Sequence, residues 1–222
     1  MTAARTTAQR YATMSGLSAA VLFGVGSAIW ALDMPEDGTA VGRVVGFYED
    51  TADRIVVGGS LSLLAIALFV AFAAEVRQVV LEAGGEDFLA TTAFGGAILT
   101  AAAGLGAETI NMAAALRARD DELSEPLAQA LFEVSQMLGS VATGVGVGVF
   151  AVWVAAAALQ TRAVLPRPVA VAVLVLGVLC LTPLAHVNWL PGSALVLVAV
   201  LVALGVRSAP SPSPSPSPSP AR

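Results

Sequence analysis

Two glutamates near the ends of neighbouring apolar segments are the residues of this chain best suited to chemistry. Glu108 ends a series of small or polar residues at steps of four, and Glu133 lies seven residues before a second series (Gly96, Thr100, Gly104; Ser140, Gly144, Gly148). Steps of four and seven fall on one face of a helix, so each carboxylate is expected on a face that packs against another helix. The loop between the two segments is short, which predicts antiparallel neighbours with the two acids at matching depth.

Other polar side chains are predicted to join these acids in one pocket that opens to the outside of the membrane. Amides lie at helical spacing from the acids, Arg54 begins the second apolar segment, and a histidine ends the fifth (Asn111, Gln129, Gln136, His186). In the preferred interpretation, the two acids reach the outer water or pair with Arg54 to hold three helices together. In the second, the pocket binds a cation, a proton or a small polar ligand. In the third, the two glutamates lie on different faces and share no pocket.

The elements that position these residues follow from the composition. Of 222 residues, 57% are hydrophobic and 12% are charged, and the mean hydropathy is +0.82. An ordinary soluble domain has about 25% charged residues. A soluble fold of this length could not keep so much apolar surface away from water, so lipid is the expected solvent. The chain is therefore predicted to be an all-α, polytopic transmembrane helix bundle.

Six segments are predicted to cross the membrane, because a span needs about 20 mostly apolar residues. The predicted spans are residues 14–32, 55–74, 88–107, 134–159, 169–186 and 190–206. The last two are separated by a turn ending in Pro191-Gly192. One bent helix over 169–206 would be about 57 Å long, nearly twice the membrane, so two spans are favoured. The membrane domain then covers residues 14–207.

The flanking and loop segments have simpler predictions. Residues 1–13 form a cytoplasmic segment, and the Ser-Pro repeat of residues 208–222 forms an extended, disordered cytoplasmic tail. In the first external loop, Val41, Val44, Val45 and Tyr48 recur at helical spacing. This short amphipathic pattern predicts a helix that either lies on the membrane surface or extends the second span.

The arginines favour an orientation with both termini inside, since positive charge is enriched in cytoplasmic loops. With the N-terminus inside, seven arginines are cytoplasmic and four are external. The cytoplasmic set is Arg5, Arg10, Arg77, Arg162, Arg167, Arg207 and Arg222, and the external set is Arg43, Arg54, Arg117 and Arg119. All eleven basic residues are arginine, which is typical of a GC-rich bacterial genome. The expected location is a cell (plasma) membrane, namely a bacterial inner membrane.

Several function classes are disfavoured by what the chain contains. A net charge of −5 argues against nucleic-acid binding. One cysteine, Cys180, and one histidine argue against an intramolecular disulfide and against a Cys-based or multi-His zinc site. Neither a Ser-His-Asp order nor an HExxH motif occurs. The chain is therefore expected to be non-enzymatic and to need no cofactor.

The predicted function is a structural, sensory or accessory membrane protein. The alternative is a small transporter or ion-coupled carrier that uses the paired acids near the outer face. The expected partners are the lipid bilayer and either a second copy of the chain or another membrane protein.

The layout resembles a domain-of-unknown-function family of uncharacterised actinobacterial integral membrane proteins with about six helices. The resemblance lies in the acidic segment Tyr48-Glu49-Asp50-Thr51-Ala52-Asp53-Arg54, the glycine-rich third and fourth spans, and the Leu/Val-rich closing hairpin. It covers most of residues 10 to 207. It implies the helical architecture and carries no activity.

Overall fold

The protein is described from a computed structural model over residues 7–35, 41–120, 122–161, 164–183 and 189–208. These residues form helices and no strand, which confirms the all-α prediction. The six helices are α1 (Thr7–Ala31), α2 (Val41–Glu82), α3 (Asp87–Arg119), α4 (Glu125–Thr161), α5 (Arg167–Cys180) and α6 (Trp189–Ser208). The predicted tail after Ser208 and the first six residues lie outside the described residues.

Five of the described helices are long and apolar enough to cross a membrane, as in a multi-pass membrane protein. Their apolar stretches are Gln9–Ala31, Gly42–Glu82, Asp87–Arg119, Glu125–Thr161 and Leu190–Arg207. The 14 residues of α5 cover only about 21 Å, less than the roughly 30 Å of a hydrocarbon core. This helix ends at Cys180, before the predicted 186, in a turn that leads to Pro183. A proline disfavours helical conformation in the residue before it.

Helix α2 is much longer than the predicted second span. It has 42 residues, about 63 Å, and begins at Val41 because the amphipathic segment continues it without a break. Of the two predicted arrangements of that segment, the structure has the extended helix. Val44, Phe47 and Tyr48 on its inner face are buried. Together with the last turns of α3 and the first turns of α4, this extension builds one end of the molecule.

The buried apolar side chains form two separate clusters. The larger one, which we call the main core, is mostly valine and alanine from all six helices, with three phenylalanines in mutual ring contact (Phe69, Phe72, Phe150). The smaller one, the aromatic core, lies at the end built by α2, α3 and α4. It contains Trp30, Phe47, Tyr48 and Phe132 around Ala114, Ala115 and Ala118.

Glycines bring the helices of the main core into backbone contact. A Cβ on Gly26 of α1 would be 2.7 Å from the Gly58 carbonyl oxygen of α2. A Cβ on Gly96 of α3 would be 2.9 Å from the Gly146 oxygen of α4. Real Cβ atoms do not approach so closely, so these crossings require glycine. The predicted packing of the third and fourth spans through small residues is confirmed, but Gly148 faces Gly177 of α5 and not α3.

Candidate functional site

Glu108 is a buried carboxylate in the interior of the helix bundle, with only 6% of the residue exposed. The series Gly96, Thr100, Gly104 carries it on the packed face of α3, as predicted. A Cβ on Gly59 of α2 would be 3.3 Å from its Oε2 atom, so α2 approaches closely here.

The hydroxyl of Ser62, one turn further along α2, lies beside the Glu108 carboxyl. Its geometry is not that of a regular hydrogen bond. Among the described residues, neither Glu108 Oε2 nor Ser62 Oγ has a hydrogen-bond partner. Buried polar groups are almost always paired, and an unpaired buried carboxylate costs several kcal/mol. An orphaned acceptor at this position therefore requires an explanation.

A polar layer continues from Glu108 towards the aromatic core. Asn111, one turn further along α3, is buried, and its Oδ1 accepts a hydrogen bond of 3.1 Å from the Tyr48 hydroxyl of α2. Ser135 of α4 lies beside the same hydroxyl and donates to the Phe132 carbonyl oxygen. Gln136 Nε2 contacts Met34 Sδ at 3.0 Å. Helices α2, α3 and α4, together with Met34 after the end of α1, thus contribute hydrogen-bond donors and acceptors to one layer.

An open groove of about 820 Å³ runs beside this layer, between α1, α3, α4 and α6. We call it the outer groove because it lies towards the end of the molecule that contains the aromatic core. Its polar lining consists of one carboxylate, two amides and three hydroxyl groups, and most of its remaining surface is apolar (Glu108, Asn111, Gln136, Ser27, Ser135, Ser193; Phe23, Trp30, Pro35, Val196, Leu197). Small-molecule sites usually measure about 300–1,000 Å³ and combine an apolar lining with a few polar groups. The outer groove fits that description.

A second, smaller cavity of about 50 Å³ also borders Glu108. Its polar lining consists of Thr100 and Thr143 besides Glu108, and the rest is apolar. A water needs roughly 10–15 Å³ of such space, so this inner cavity has room for a few waters. The inner cavity adjoins the outer groove, and the residues that line both are Phe23, Ala107, Glu108, Gly139 and Val196.

Glu133 does not share this site. Its side chain is exposed, accepts a hydrogen bond of 2.6 Å from Gln129 Nε2, and lines neither the groove nor the inner cavity. Gln129 is likewise absent from both linings. The predicted pocket of two facing carboxylates is therefore not formed, and the arrangement is the one in which the two glutamates lie on different faces.

A π-helical segment, Leu138–Ala142, explains why Glu133 turns away. The Thr143 hydroxyl donates to the Leu138 carbonyl oxygen five residues back, and a π segment holds one residue more than an α-turn. The buried face of α4 consequently passes from Ser140 to Ser135, a step of five. The sequence argument assumed uninterrupted α-helical spacing, which would have put Glu133 on that face.

The remaining predicted residues lie elsewhere. Arg54 forms an ion pair of 2.6 Å with Asp33 after the end of α1, and about half of each side chain is exposed. This arginine therefore joins α1 to α2 and does not neutralise Glu108. Gln136 is part of the layer, as predicted. His186 lies outside the described residues.

Three residues of the layer were not predicted as site residues: Tyr48, Ser62 and Ser135. Signals for two of them exist in the sequence. Tyr48 is the fourth member of the amphipathic pattern in the first loop. Ala128, Phe132 and Ser135 follow one helical face, which would have placed the Ser135 hydroxyl inside. Ser62 had no comparable signal beyond its position one turn after two glycines.

The chemistry available at this site is recognition by hydrogen bonding and charge. The described residues contain no group of three or more His, Cys, Asp or Glu side chains that could hold a metal ion. The layer offers one carboxylate, two amides and hydroxyl groups next to an apolar wall. Such a set suits a ligand with one polar, donor-rich end and one apolar end.

In comparisons with protein-family models, with curated proteins and with solved structures, nothing matched this chain. The resemblance to a six-helix actinobacterial family accordingly stays a prediction, and the arguments about function rest on the site itself.

Proposed function

We propose that this protein is a non-enzymatic, multi-pass membrane protein of the sensory or accessory kind, which binds a small molecule in the outer groove at Glu108. The observation that carries the proposal is the buried Glu108, which is the only charged side chain among the described residues lining an open groove of ligand size. A ligand in the groove would pair with this carboxylate.

A purely structural role for Glu108 is less well supported. In the structural interpretation the carboxylate pairs with Arg54, whereas Arg54 pairs with Asp33. A glutamate retained only for helix packing should also have its hydrogen bonds satisfied, since an unpaired buried acid destabilises the fold. The cost of burying Glu108 is easier to explain if the residue has a partner that binds reversibly.

The proposal includes a topology. We place both termini inside and let all six helices, including the short α5, contribute to crossing a bacterial plasma membrane. The arginine distribution supports this orientation, because Arg10, Arg77, Arg167 and Arg207 share one end of the bundle. In this arrangement the outer groove opens at the level of the outer leaflet. Labelling of cysteines introduced at positions 49 and 122 from outside intact cells tests it, and labelling only after lysis would overturn it.

The binding function is tested by identifying what co-purifies with the protein. Wild-type protein, Glu108→Gln and Glu133→Gln are extracted into nanodiscs from the same cells and examined by native mass spectrometry. The wild type and Glu133→Gln should retain the same small molecule, and Glu108→Gln should lose most of it. Glu133 is the matched control because it is an exposed glutamate at the same end of the bundle. Equal retention by all three proteins, or no bound molecule in any, would refute the proposal.

A second candidate function is an ion-coupled carrier. It is favoured by the position of Glu108, which lines both the open groove and the inner cavity next to a π-helical segment. Such segments occur frequently at functional sites. Proteoliposomes would then show a proton or cation flux that Glu108→Gln abolishes and Glu133→Gln leaves intact. Absence of flux in the wild type would remove this candidate and leave the binding function standing.

A further inference from the structure

We infer that the ligand of the outer groove is an amphipathic primary amine, with an ammonium group at Glu108 and an apolar chain between α1 and α6. This inference rests on the proposed function and specifies its ligand class. An aminophospholipid and a free long-chain amine share this chemistry.

Charge complementarity is the first argument. Glu108 is the only charged residue among those described as lining the groove. Its neighbours Asn111, Ser135 and Gln136 each carry a further acceptor oxygen. An ammonium group has three N–H donors and no acceptor, so it matches a wall rich in acceptors. Its hydrogen bond to a carboxylate would be about twice as strong as a neutral one, whereas an anionic head group would face an unneutralised carboxylate.

The apolar part of the groove accommodates the rest of such a molecule. Phe23 of α1 and Val196 and Leu197 of α6 all line it. From Phe23 to Ala31 the groove follows about 12 Å of helix axis. At Gly24, a Cβ would have no atom within 4 Å, so this wall is open. An alkyl chain there is in contact with apolar side chains on one side and with lipid on the other.

The test compares lipids that differ only in the nitrogen of the head group. The protein is reconstituted in nanodiscs of phosphatidylcholine, whose quaternary nitrogen has no N–H, with an equal amount of phosphatidylethanolamine of the same acyl chains. Native mass spectrometry should show at least a tenfold preference of the wild type for the primary amine. Glu108→Gln should lose this preference, and Glu133→Gln should keep it. Phosphatidylglycerol is the anionic comparison and should be excluded.

A further variant keeps the test decisive if Glu108→Gln is poorly folded. Gly24→Leu adds a side chain where there is open space, so the protein should fold while the groove is blocked and lipid retention is lost. Thermal unfolding of both variants in detergent checks that the fold is retained.

The outcomes separate the ligand class from the function. If dodecylamine binds in a Glu108-dependent manner and the aminophospholipid does not, the source is a free amine and the inference holds. Equal binding of phosphatidylcholine and phosphatidylethanolamine, or a preference for the anionic lipid, overturns the ligand class. If a different molecule is retained through Glu108, the proposed function stands and the amine inference fails. If nothing is retained, both fail.

Discussion

The main core and the aromatic core are packed by different means. In the main core, valine and alanine side chains fill the space and glycines let helices touch backbone to backbone, as at Gly96 and Gly146. In the aromatic core, large rings pack around alanines, with Phe47 in ring contact with Trp30, Tyr48 and Phe132. Exposed ion pairs lie beside both regions: Arg54–Asp33 and Arg119–Asp53 beside the aromatic core, and Arg77–Asp87 at the opposite end of the main core.

The difference between the two cores is explained by the solvent around each of them, lipid in one case and water in the other. Lipid offers little hydrophobic driving force between helices, so close fit of small residues must hold the main core together. Rings buried beside charged, exposed side chains gain from leaving water, as in a soluble protein. The polar layer of Glu108 and Asn111 lies between the main core and the aromatic core. A binding site there can present polar groups to a ligand whose other end remains in lipid.

The largest expected effect comes from a change at a glycine crossing. Gly96→Leu should prevent stable folding, since even a Cβ at this position would be 2.5 Å from the Phe150 amide nitrogen and backbone cannot yield. Gly95→Leu is the matched control, because nothing lies within 4 Å of a Cβ there. Size-exclusion profiles and thermal unfolding in detergent measure both. Similar folding of the two variants would contradict close backbone packing in the main core.

Truncation of a ring in the aromatic core should cause the second-largest loss of stability. Phe47→Ala removes a side chain in contact with three other rings, and the expected loss is about 3–5 kcal/mol of unfolding free energy. Phe88 serves as control because it is 65% exposed and contacts one ring, that of Trp153. Denaturant unfolding in mixed micelles gives both values. If Phe88→Ala costs as much as Phe47→Ala, burial from water does not distinguish the aromatic core.

A smaller effect is expected from the hydrogen bond between the two regions. Tyr48→Phe leaves the buried Asn111 Oδ1 without its donor, which should cost about 1–3 kcal/mol. The same change at Tyr11, which is 58% exposed, should cost almost nothing. Thermal unfolding of both variants provides the comparison. If Tyr48→Phe unfolds at the same temperature as the wild type, the polar layer does not stabilise the contact between α2 and α3.

The smallest effect is expected at the charged rim. Arg54→Gln breaks an ion pair whose two side chains are about half exposed, and such pairs contribute less than about 1 kcal/mol. A double-mutant cycle with Asp33→Asn isolates the coupling, which should shrink further in high salt. A coupling above about 2 kcal/mol would show that the rim is less accessible to water than the structure indicates.

Sequence reasoning succeeded where helical spacing was regular. The all-α architecture and the place of Glu108 on the packed face of α3 follow from apolar segments and an unbroken series of small residues, although the preferred interpretation had Glu108 reach the outer water or pair with Arg54. It failed where spacing changed, since Glu133 was assigned through a segment that contains an extra residue per turn. The hydrogen bond between Tyr48 and Asn111 could not be foreseen either, because the register between two long helices depends on side-chain fit along their whole length.

The π-helical segment has a consequence for how this chain can tolerate changes in length. Because it accommodates one surplus residue, a chain lacking one position between Met137 and Thr143 should form a plain α-helix with Ser135 and the later buried residues still on one side. Such a shortened chain would keep its packing and lose only the wide turn at Gly139, a residue that lines the same groove and cavity as Glu108. A single-residue deletion inside a helix usually prevents correct packing. In α4, the fold should tolerate such a deletion within the π-helical segment and not elsewhere.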